Sequence, residues 1–412
     1  MTFLVPFLTA LVIGAVGMTR QAWRDEHSTW RAATIPLPDL RSLLSHVDIV
    51  LAPYYIFMRG WIAVFGDSVV AMRVPSLLAM ATAAGLTALL GERMFTPWVG
   101  FTAGCLFAVV PSVSRYAEEA RPYAFAICFA VASVLAVVSR RWVLVGVFVA
   151  LTGLAHLIAL TILLAHLPLL DRAWLKSWSL AAGLGVLPVI PLAVWGVRQS
   201  GQLDWLHATW KNLATLPMSL AQSAVVAGIL AALSLLAAFT GRVTALIVWA
   251  AAPPLLVFVA APEFFFYRYL LFTLPAWTLL AAYGAAQALS HRGALAIVGL
   301  CATVLVLGAH DQLNVRRSPL TGDQDYRGAA SYVAQYLSAG DTAYFDGFAD
   351  QRERFGFAYE LRRRAALALC PDLASCQRVW LVSNRDVMPP AGFAVLDSRR
   401  FAGLQVQLLR RD

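Results

Sequence analysis

The stretch VVAMRVPSLLAMATAAGLTALL at residues 69–90 is almost entirely apolar. A helix needs roughly 20 apolar residues to cross about 30 Å of hydrocarbon, so this stretch is long enough to span a membrane. Similar windows recur along the chain and predict about eleven spans, near residues 2–18, 69–90, 97–113, 122–138, 142–155, 157–170, 178–197, 222–240, 243–261, 266–286 and 293–309.

The composition agrees with a membrane protein. Hydrophobic residues make up 60% and charged residues 13% of the 412 residues, whereas soluble domains are about 45–50% apolar and about 25% charged. The formal net charge is +9, but the arginines are scattered between the apolar windows. Anionic lipid headgroups or a phosphate-bearing substrate are therefore favoured over nucleic acid as partners. Residues 2–18 lack a basic leading segment and are interpreted as a first span rather than a cleaved signal.

The short connections indicate an orientation in the cell membrane. The connections that are expected on one side of the membrane carry basic residues, which is typical of cytoplasmic loops. The opposite, extracytoplasmic side then holds a loop at 19–67, in which interfacial helices are expected, a loop at 198–221 and the segment after residue 309. That side also carries arginines, for which anionic substrate binding is one explanation. The basic connections are Glu92-Arg93, Ser139-Arg140-Arg141, Asp171-Arg172 to Lys176, Gly241-Arg242 and His291-Arg292.

The C-terminal segment changes to a polar composition, which predicts two domains, a transmembrane catalytic domain at 1–309 and a small extracytoplasmic α/β domain at 310–412. The stretch from Asp325 to Phe345 indicates an amphipathic helix and a strand, and VWLVSN and GLQVQLLRR indicate further strands. Cys370 and Cys376 favour a local disulfide over free thiols if this segment is extracytoplasmic. A zinc site is disfavoured because no second CxxC pair occurs.

The cluster Trp23-Arg24-Asp25-Glu26-His27 directly follows the first span. Ionisable groups at the edge of the hydrocarbon are costly unless they are used. One of the two carboxylates would suit a general base that takes a proton from an attacking hydroxyl. The structural alternative is a solvated helix end with Arg24 and Asp25 paired, and charge content alone slightly favours it.

Two further clusters lie on the same expected side. In RYAEEARPY, residues 115–123, Glu118 and Arg121 are spaced to pair on one helix face, and Tyr123 opens the next span. In residues 263–269, Arg268 stands among aromatics that include Tyr269, a pattern that suits a lipid phosphate and equally a belt with a snorkelling arginine.

Histidines give weaker indications. His46, Asp48 and Tyr54 form a possible substrate-orienting set, although His46 and Asp48 do not share a helix face, and a metal there together with Asp25 or Glu26 has no defined ligand count. His156 and His166 fall inside apolar windows, where a buried structural histidine is the more common role.

In this order the motifs resemble GT-C superfold glycosyltransferases, specifically the bacterial relatives of protein O-mannosyltransferases and aminoarabinose transferases. The resemblance extends over nearly the whole chain, and six stretches carry it. They are WRDEHSTW (23–30), HVDIVLAPYYIFMRGW with FGDSVVAMRVPS (46–61 and 65–76), RYAEEARPYAF (115–125), YRYLLFTLPAW (267–277) and DYRGAASYV (325–333).

The resemblance implies an all-α polytopic fold with a cavity open to the bilayer, in which a polyprenyl-phosphate sugar donates to an extracytoplasmic acceptor. It implies Asp25 as catalytic base, with Glu26 as second candidate. Arg268 is implied near the carrier phosphate, and Glu118 and Arg121 at the rim of the site. The His-Pro-Pro pattern of the protein O-mannosyltransferases is replaced by His46-Val47-Asp48, which disfavours a protein acceptor.

The resulting hypothesis is an inverting glycosyltransferase, with mannose favoured by analogy. No cofactor is expected, although a divalent metal stays open, and no nucleotide sugar is expected because no nucleotide-binding fingerprint occurs. The rival classes are a lipid or sugar carrier and a catalytically silent scaffold that binds prenyl lipids. The predicted substrate-binding residues are Arg24, His27, His46, Asp48, Tyr54, Glu118, Arg121, Tyr123, Arg268 and Tyr269.

Overall fold

The structure is a computed structural model that describes the whole chain except residues 204–205, 238–239, 289–292, 320–321, 347–350 and 365–366. The α-helices are α1 (Leu4–Ala15), α2 (Arg24–Thr34), α3 (Leu37–His46), α4 (Ala52–Phe65), α5 (Val69–Met94), α6 (Pro97–Val109), α7 (Pro111–Ala117), α8 (Tyr123–Val138), α9 (Trp142–Ala155), α10 (Leu163–His166), α11 (Leu175–Val186), α12 (Ile190–Arg198), α13 (Trp210–Ala214), α14 (Leu216–Ala221), α15 (Ala224–Ser234), α16 (Gly241–Ala260), α17 (Leu274–Ala288), α18 (Gly293–Leu307), α19 (Ala309–Asn314), α20 (Tyr326–Tyr336) and α21 (Gln351–Leu361).

By their internal contacts, the described residues form two compact units. The first, the helical unit, comprises Met1–Met18 and Ile35–Val315, and the second, the α/β unit, comprises Thr19–Thr34 and Arg316–Asp412. The sequence-based boundary between residues 309 and 310 stays a prediction. Residues 19–34, which that boundary assigned to the membrane domain, pack within the α/β unit.

The helical unit is apolar along most of its helices. Within the described residues, four helices are long and apolar enough to cross a membrane, or five if the bent pair α6–α7 forms one span. Each predicted span contains a helix, but seven further apolar helices have only 10–17 residues. The helical membrane fold is therefore as predicted, whereas the count of eleven crossings is not confirmed. The basic connection at His291-Arg292 lies outside the described residues.

Small residues bring the central helices of this unit close together. Helix α5 begins at the cap Ser68, whose side chain accepts a hydrogen bond from the amide of Ala71. Against it lies α6, where Gly100 and Gly104 are four residues apart. A Cβ at Gly91 would stand 2.7 Å from Cα of Gly100, so the two backbones approach as only glycines allow. Such small-residue contacts replace the hydrophobic driving force that helices lack in lipid.

The chain bends by 66° between α6 and α7. Pro111 occupies the first turn of α7, where its missing N–H costs no hydrogen bond, and Val110 is the extended residue that a following proline favours. The bend therefore ends the straight course of α6 and starts α7 in a new direction.

The α/β unit contains a five-stranded sheet in the order β2-β1-β3-β5-β4. The first strand is parallel to β2 and β3, while β5 is antiparallel to β3 and β4. The sheet packs with α20 and α21 around Tyr326, Phe357 and Trp380, which are buried. The predicted α20, β1, β3 and β5 are confirmed, and the strands are β1 (Thr342–Asp346), β2 (Ala368–Leu369), β3 (Arg378–Ser383), β4 (Phe393–Phe401) and β5 (Leu404–Arg411).

A disulfide joins Cys370 to Cys376, whose Cα atoms are 6.3 Å apart, as predicted. Both residues are buried beside Val379 and Leu409, so the bond fixes the loop that leads into β3.

Replacing both cysteines by serine is expected to destabilise the α/β unit by about 2 kcal/mol, because a short open loop regains conformational freedom in the unfolded chain. Amide hydrogen exchange of β3 and β5 in the full chain would measure this as faster exchange. A Cys301→Ser variant, at a free cysteine of the helical unit, provides the control. Equal exchange in both variants and wild type would contradict a stabilising role.

Candidate functional site

The stretch from Arg115, in the last turn of α7, to Arg121, just before α8, holds four buried charged residues of the helical unit. Arg115 is 7% exposed, Glu118 and Glu119 are 0% exposed and Arg121 is 9% exposed. Buried charges are tolerated only when they are paired or hydrogen-bonded. This segment therefore holds a polar site inside an otherwise apolar bundle.

The two glutamates have different partners. Glu119 forms an ion pair at 3.4 Å with Arg115, which lies four residues earlier in the chain. Glu118 accepts a hydrogen bond from the amide of Gly17 at 3.1 Å. Because α7 ends at Ala117 and α8 begins only at Tyr123, Glu118 and Arg121 do not share a helix face, and the sequence-based interpretation of an i, i+3 helical pair is corrected.

Arg73 was not selected from the sequence, yet it is fully buried in α5. Its guanidinium donates to the carbonyl oxygens of Met18, at 3.0 Å, and Gly17, at 3.4 Å. Together Arg73 and Glu118 therefore bind the backbone that follows α1. An arginine inside an apolar span is itself a signal of function, and that signal was present in the 69–90 stretch.

Aromatic rings surround the α7–α8 turn. The ring centroid of Tyr123 lies 5.4 Å from that of Tyr116 and 6.5 Å from that of Tyr269. His156 stacks obliquely on Tyr269 at 4.9 Å. Two predicted substrate-binding residues, Tyr123 and Tyr269, are thus brought together, with His156 as a partner that the sequence favoured as merely structural.

Arg268 lies in the 3₁₀ helix Tyr267–Thr273. Its guanidinium carbon is 4.5 Å from the centre of the Phe266 ring, and Arg268 and Arg115 are both charged neighbours of Tyr116. Three arginines from two separate stretches, Arg115, Arg121 and Arg268, therefore surround the same tyrosine cluster. A guanidinium can stack on an aromatic face, and its planar fork of N–H donors matches the geometry of phosphate oxygens.

Tyr55 connects a second part of the sequence to this cluster. Its hydroxyl donates to Asp48 at 3.0 Å and lies within hydrogen-bonding reach of Arg121. Asp48 adopts the left-handed conformation, with φ of 61°, which turns the chain sharply between α3 and α4. Sequence reasoning selected Asp48 and the neighbouring Tyr54 but missed Tyr55, because no pattern told the two adjacent tyrosines apart.

Tyr54 and His46 occupy different surroundings. Tyr54 is buried and packs against Phe57 and Phe125 at 6.4 and 6.0 Å between ring centroids. His46 is exposed at the end of α3, where its Nδ1 is 2.8 Å from the carbonyl oxygen of Ser42. The contacts described for His46 lie within its own helix.

In the α/β unit, the two predicted catalytic acids differ in burial. Glu26 is fully buried and accepts a hydrogen bond from the amide of Trp23 at 3.2 Å, which caps the start of α2. Asp25 is only partly buried and Arg24 is exposed. Of the adjacent carboxylates, Asp25 is therefore the less buried, while Glu26 has a structural hydrogen bond at the helix N-terminus.

His27 lies in the interior of the α/β unit. It is fully buried and packs edge-on against Tyr326 at 5.2 Å and obliquely against Tyr359 at 5.4 Å. Gly356 allows this packing, since a Cβ there would be 2.9 Å from Nδ1 of His27. Within this unit His27 thus occupies a packing position, and the substrate contact at His27 stays a prediction.

Tyr359 links this core to a basic surface. Burial raises the pKa of Tyr359 to about 12, while the Arg362 guanidinium acts in the opposite direction. That guanidinium stacks on the Tyr359 ring at 3.5 Å and faces Trp30 at 5.5 Å. Tyr359 is therefore a neutral phenol at physiological pH. Among the residues that the structure describes, no group of three or more His, Cys, Asp or Glu side chains converges as a metal site would require.

No protein-family model matches the sequence, and no curated protein sequence matches it. Solved structures do match. ArnT from Cupriavidus metallidurans in the apo state has a TM-score of 0.62 and 16% identity, covering 98% of this chain and 97% of that chain. The same protein bound to undecaprenyl phosphate has a TM-score of 0.60 and 15% identity over the same shares.

The oligosaccharyltransferase of Archaeoglobus fulgidus, in complex with Zn and sulfate, has a TM-score of 0.54 and 10% identity. The match covers 93% of this chain and 68% of that one. At such identities the likeness concerns the fold. The chain has the GT-C fold, with apolar helices followed by a small C-terminal sheet domain, so the fold predicted from the motifs is confirmed.

The contact between Glu118 and Gly17 gives a test of the buried cluster. A Cβ at Gly17 would overlap the Glu118 carboxylate, so Gly17→Ala is expected to displace that group and lower stability by about 1–3 kcal/mol. Thermal unfolding of the purified protein would measure the loss. Gly60→Ala is the matched control, because a Cβ there meets nothing within 4 Å. Unfolding of both variants at the wild-type temperature would show that the Glu118 position tolerates displacement.

Proposed function

We propose that this chain is a membrane glycosyltransferase that moves a sugar from a polyprenyl-phosphate carrier to a hydroxyl group on the extracytoplasmic side. The observation that carries the proposal is the fold shared over 98% of the chain with ArnT, a protein crystallised with undecaprenyl phosphate. The buried arginine and tyrosine cluster of the helical unit supports it, since it offers what a lipid phosphate requires.

The arginines are assigned to the phosphate. Arg268 is half-buried beside Phe266, and a guanidinium forms paired hydrogen bonds with phosphate oxygens. Arg121 lies at the same cluster, with its carbonyl oxygen accepting from the Ser76 hydroxyl at 3.2 Å. In this arrangement Arg268 binds the carrier phosphate, and Arg121 and Glu118 shape the rim beside it.

Asp25 is assigned as the general base because the resemblance implies the base at this position and Asp25 is less buried than the neighbouring Glu26. In the proposed reaction Asp25 takes the proton of the acceptor hydroxyl, whose oxygen attacks the anomeric carbon. The bond from that carbon to the phosphate oxygen breaks, and polyprenyl phosphate leaves with the electron pair. Attack opposite the leaving group inverts the anomeric configuration, and arginine stabilises the charge that develops on the phosphate.

The sugar is proposed to be mannose, on the resemblance to protein O-mannosyltransferases, with aminoarabinose as the alternative from the second group of relatives. A glycan or lipid hydroxyl is the favoured acceptor, because His46-Val47-Asp48 replaces the His-Pro-Pro pattern. The basic connections between the apolar helices favour a cell-membrane location with the site facing outward.

Purified protein in lipid, given radiolabelled polyprenyl-phosphate mannose and a panel of hydroxyl acceptors, tests the base. Asp25→Asn is expected to lower transfer at least about a hundredfold, because general-base catalysis contributes on that order, while carrier binding persists. Asp39→Asn, at an exposed aspartate of α3, is the matched control and should transfer at the wild-type rate.

The outcomes distinguish the alternatives. Equal transfer by Asp25→Asn and wild type removes Asp25 as base and points to Glu26. Carrier binding without transfer from either a mannose or an aminoarabinose donor identifies a scaffold, and movement of intact carrier between leaflets identifies a flippase.

Arg268→Gln is expected to weaken kcat/KM for the donor by about tenfold to a hundredfold, because a charge-assisted contact to phosphate is lost. Saturation curves in donor concentration would measure this, and Arg198→Gln, at an exposed arginine that ends α12, is the control. Recovery of most activity in Arg268→Lys would indicate that charge, rather than the paired hydrogen-bond geometry, carries the effect. A wild-type value for Arg268→Gln would remove this residue from the phosphate site.

A further inference from the structure

A large cavity lies in the helical unit, away from the buried arginine cluster. It has a volume of about 880 Å³ and is lined by the ends of α5 and α8 and the starts of α6, α9 and α16. Helix α8 begins beside Arg121 and ends at this cavity, and its 16 residues extend about 24 Å. The cavity is therefore at the opposite end of the helical bundle from the proposed phosphate site.

Two arginines give this cavity a positive charge. Arg140 lies over the Trp174 ring at 4.9 Å and pairs loosely with Asp171 at 3.8 Å, and both charged side chains are largely exposed. Arg242 donates to the carbonyl oxygen of Met94, which ends α5. Among the described residues that line it, the cavity thus carries two guanidiniums against one carboxylate. The N-terminal turns of α6 and α16, which also face it through Thr96 and Gly241, add partial positive charge.

An apolar groove adjoins the cavity. It runs between α9 and α11 with a volume of about 580 Å³, and Trp142 lines both the groove and the cavity. Its floor is formed where Gly146 and Gly185 bring the two backbones together, since a Cβ at Gly185 would be 2.5 Å from the carbonyl oxygen of Gly146. Its walls include Val147 and Leu184, which are 45% and 58% exposed.

We propose that the cavity and the groove together bind one anionic phospholipid, with its phosphate at Arg140 and Arg242 and one acyl chain along the groove. A cationic pocket that continues into an apolar channel matches an amphipathic molecule with a negative head. A soluble phosphate ester would contact only the cationic cavity, and a neutral lipid would contact only the apolar groove. Basic pockets between membrane helices bind lipid headgroups in this manner. The proposal does not depend on the transferase reaction.

Native mass spectrometry of the full-length protein, titrated with phosphatidylglycerol in detergent, tests this site. Arg140→Gln and Arg242→Gln are each expected to weaken binding about tenfold, because each removes one charge-assisted contact. Arg93→Gln is the control, since Arg93 is an exposed arginine in the last turn of α5 that does not line the cavity. Arg242 also donates a hydrogen bond to the carbonyl oxygen of Met94, so Arg242→Gln could unfold the protein. In that case Arg140→Gln alone tests the proposal.

The groove is tested separately. Val147→Trp fills it and is expected to weaken phosphatidylglycerol binding at least about fivefold, since an acyl chain would lose its buried surface. Val194→Trp, on an exposed part of α12, should bind as wild type does. Equal binding by all variants overturns the proposal. So does equal binding of diacylglycerol, which lacks the phosphate, or full competition by soluble glycerol phosphate, which lacks the chains.

Discussion

The cost of removing charge from water governs the arrangement of the helical unit. Arg73, Glu118 and Glu119 are all fully buried, and an isolated charge in such surroundings is destabilising by several kcal/mol. Each of these groups therefore has defined contacts, with Glu119 on Arg115 and with Arg73 and Glu118 on the backbone at Gly17. The 66° bend between α6 and α7 directly precedes these contacts and sets the direction of α7, which carries Arg115.

Close helix packing depends on a complementary set of small residues. Gly91 and Gly100 let α5 and α6 touch backbone to backbone, and Gly17 leaves room for a carboxylate where any side chain would collide. In lipid, packing and hydrogen bonding must supply the stability that hydrophobic burial supplies in water. The tight glycine contacts and the buried polar contacts thus stabilise the unit by different means, and both require short distances between neighbouring helices.

Much of the fold follows from the sequence, and less of the site does. The length of the apolar segments predicts the helices, and the alternation of polar and apolar residues predicts the strands β3 and β5. Both patterns can be seen in a short stretch of sequence. The membership of Thr19–Thr34 in the α/β unit is not local, since it depends on Gln21 bonding to Gln324 and Arg327 across about 300 residues of chain. Tyr55 was missed for the same reason, as its partner Arg121 belongs to a different helix pair. The motif-based candidates Arg121, Tyr123 and Tyr269 do converge, whereas His27 packs inside the α/β unit and His46 bonds within its own helix.

The arginines at the two ends of the helical unit differ in their exposure. This difference explains why the distribution of basic residues along the sequence does not indicate one orientation clearly. At one end Arg115 and Arg121 are buried and have carboxylates nearby, so they contribute little net charge to the membrane surface. At the other end Arg140 and Arg242 are exposed and lie at an open cavity, where lipid headgroups can reach them. A count of the arginines on each side of the membrane includes both groups. Only the exposed group, however, interacts with the charged membrane surface. When the buried arginines are set aside, the exposed Arg140 and Arg242 remain as the positive charges of their end of the helical unit.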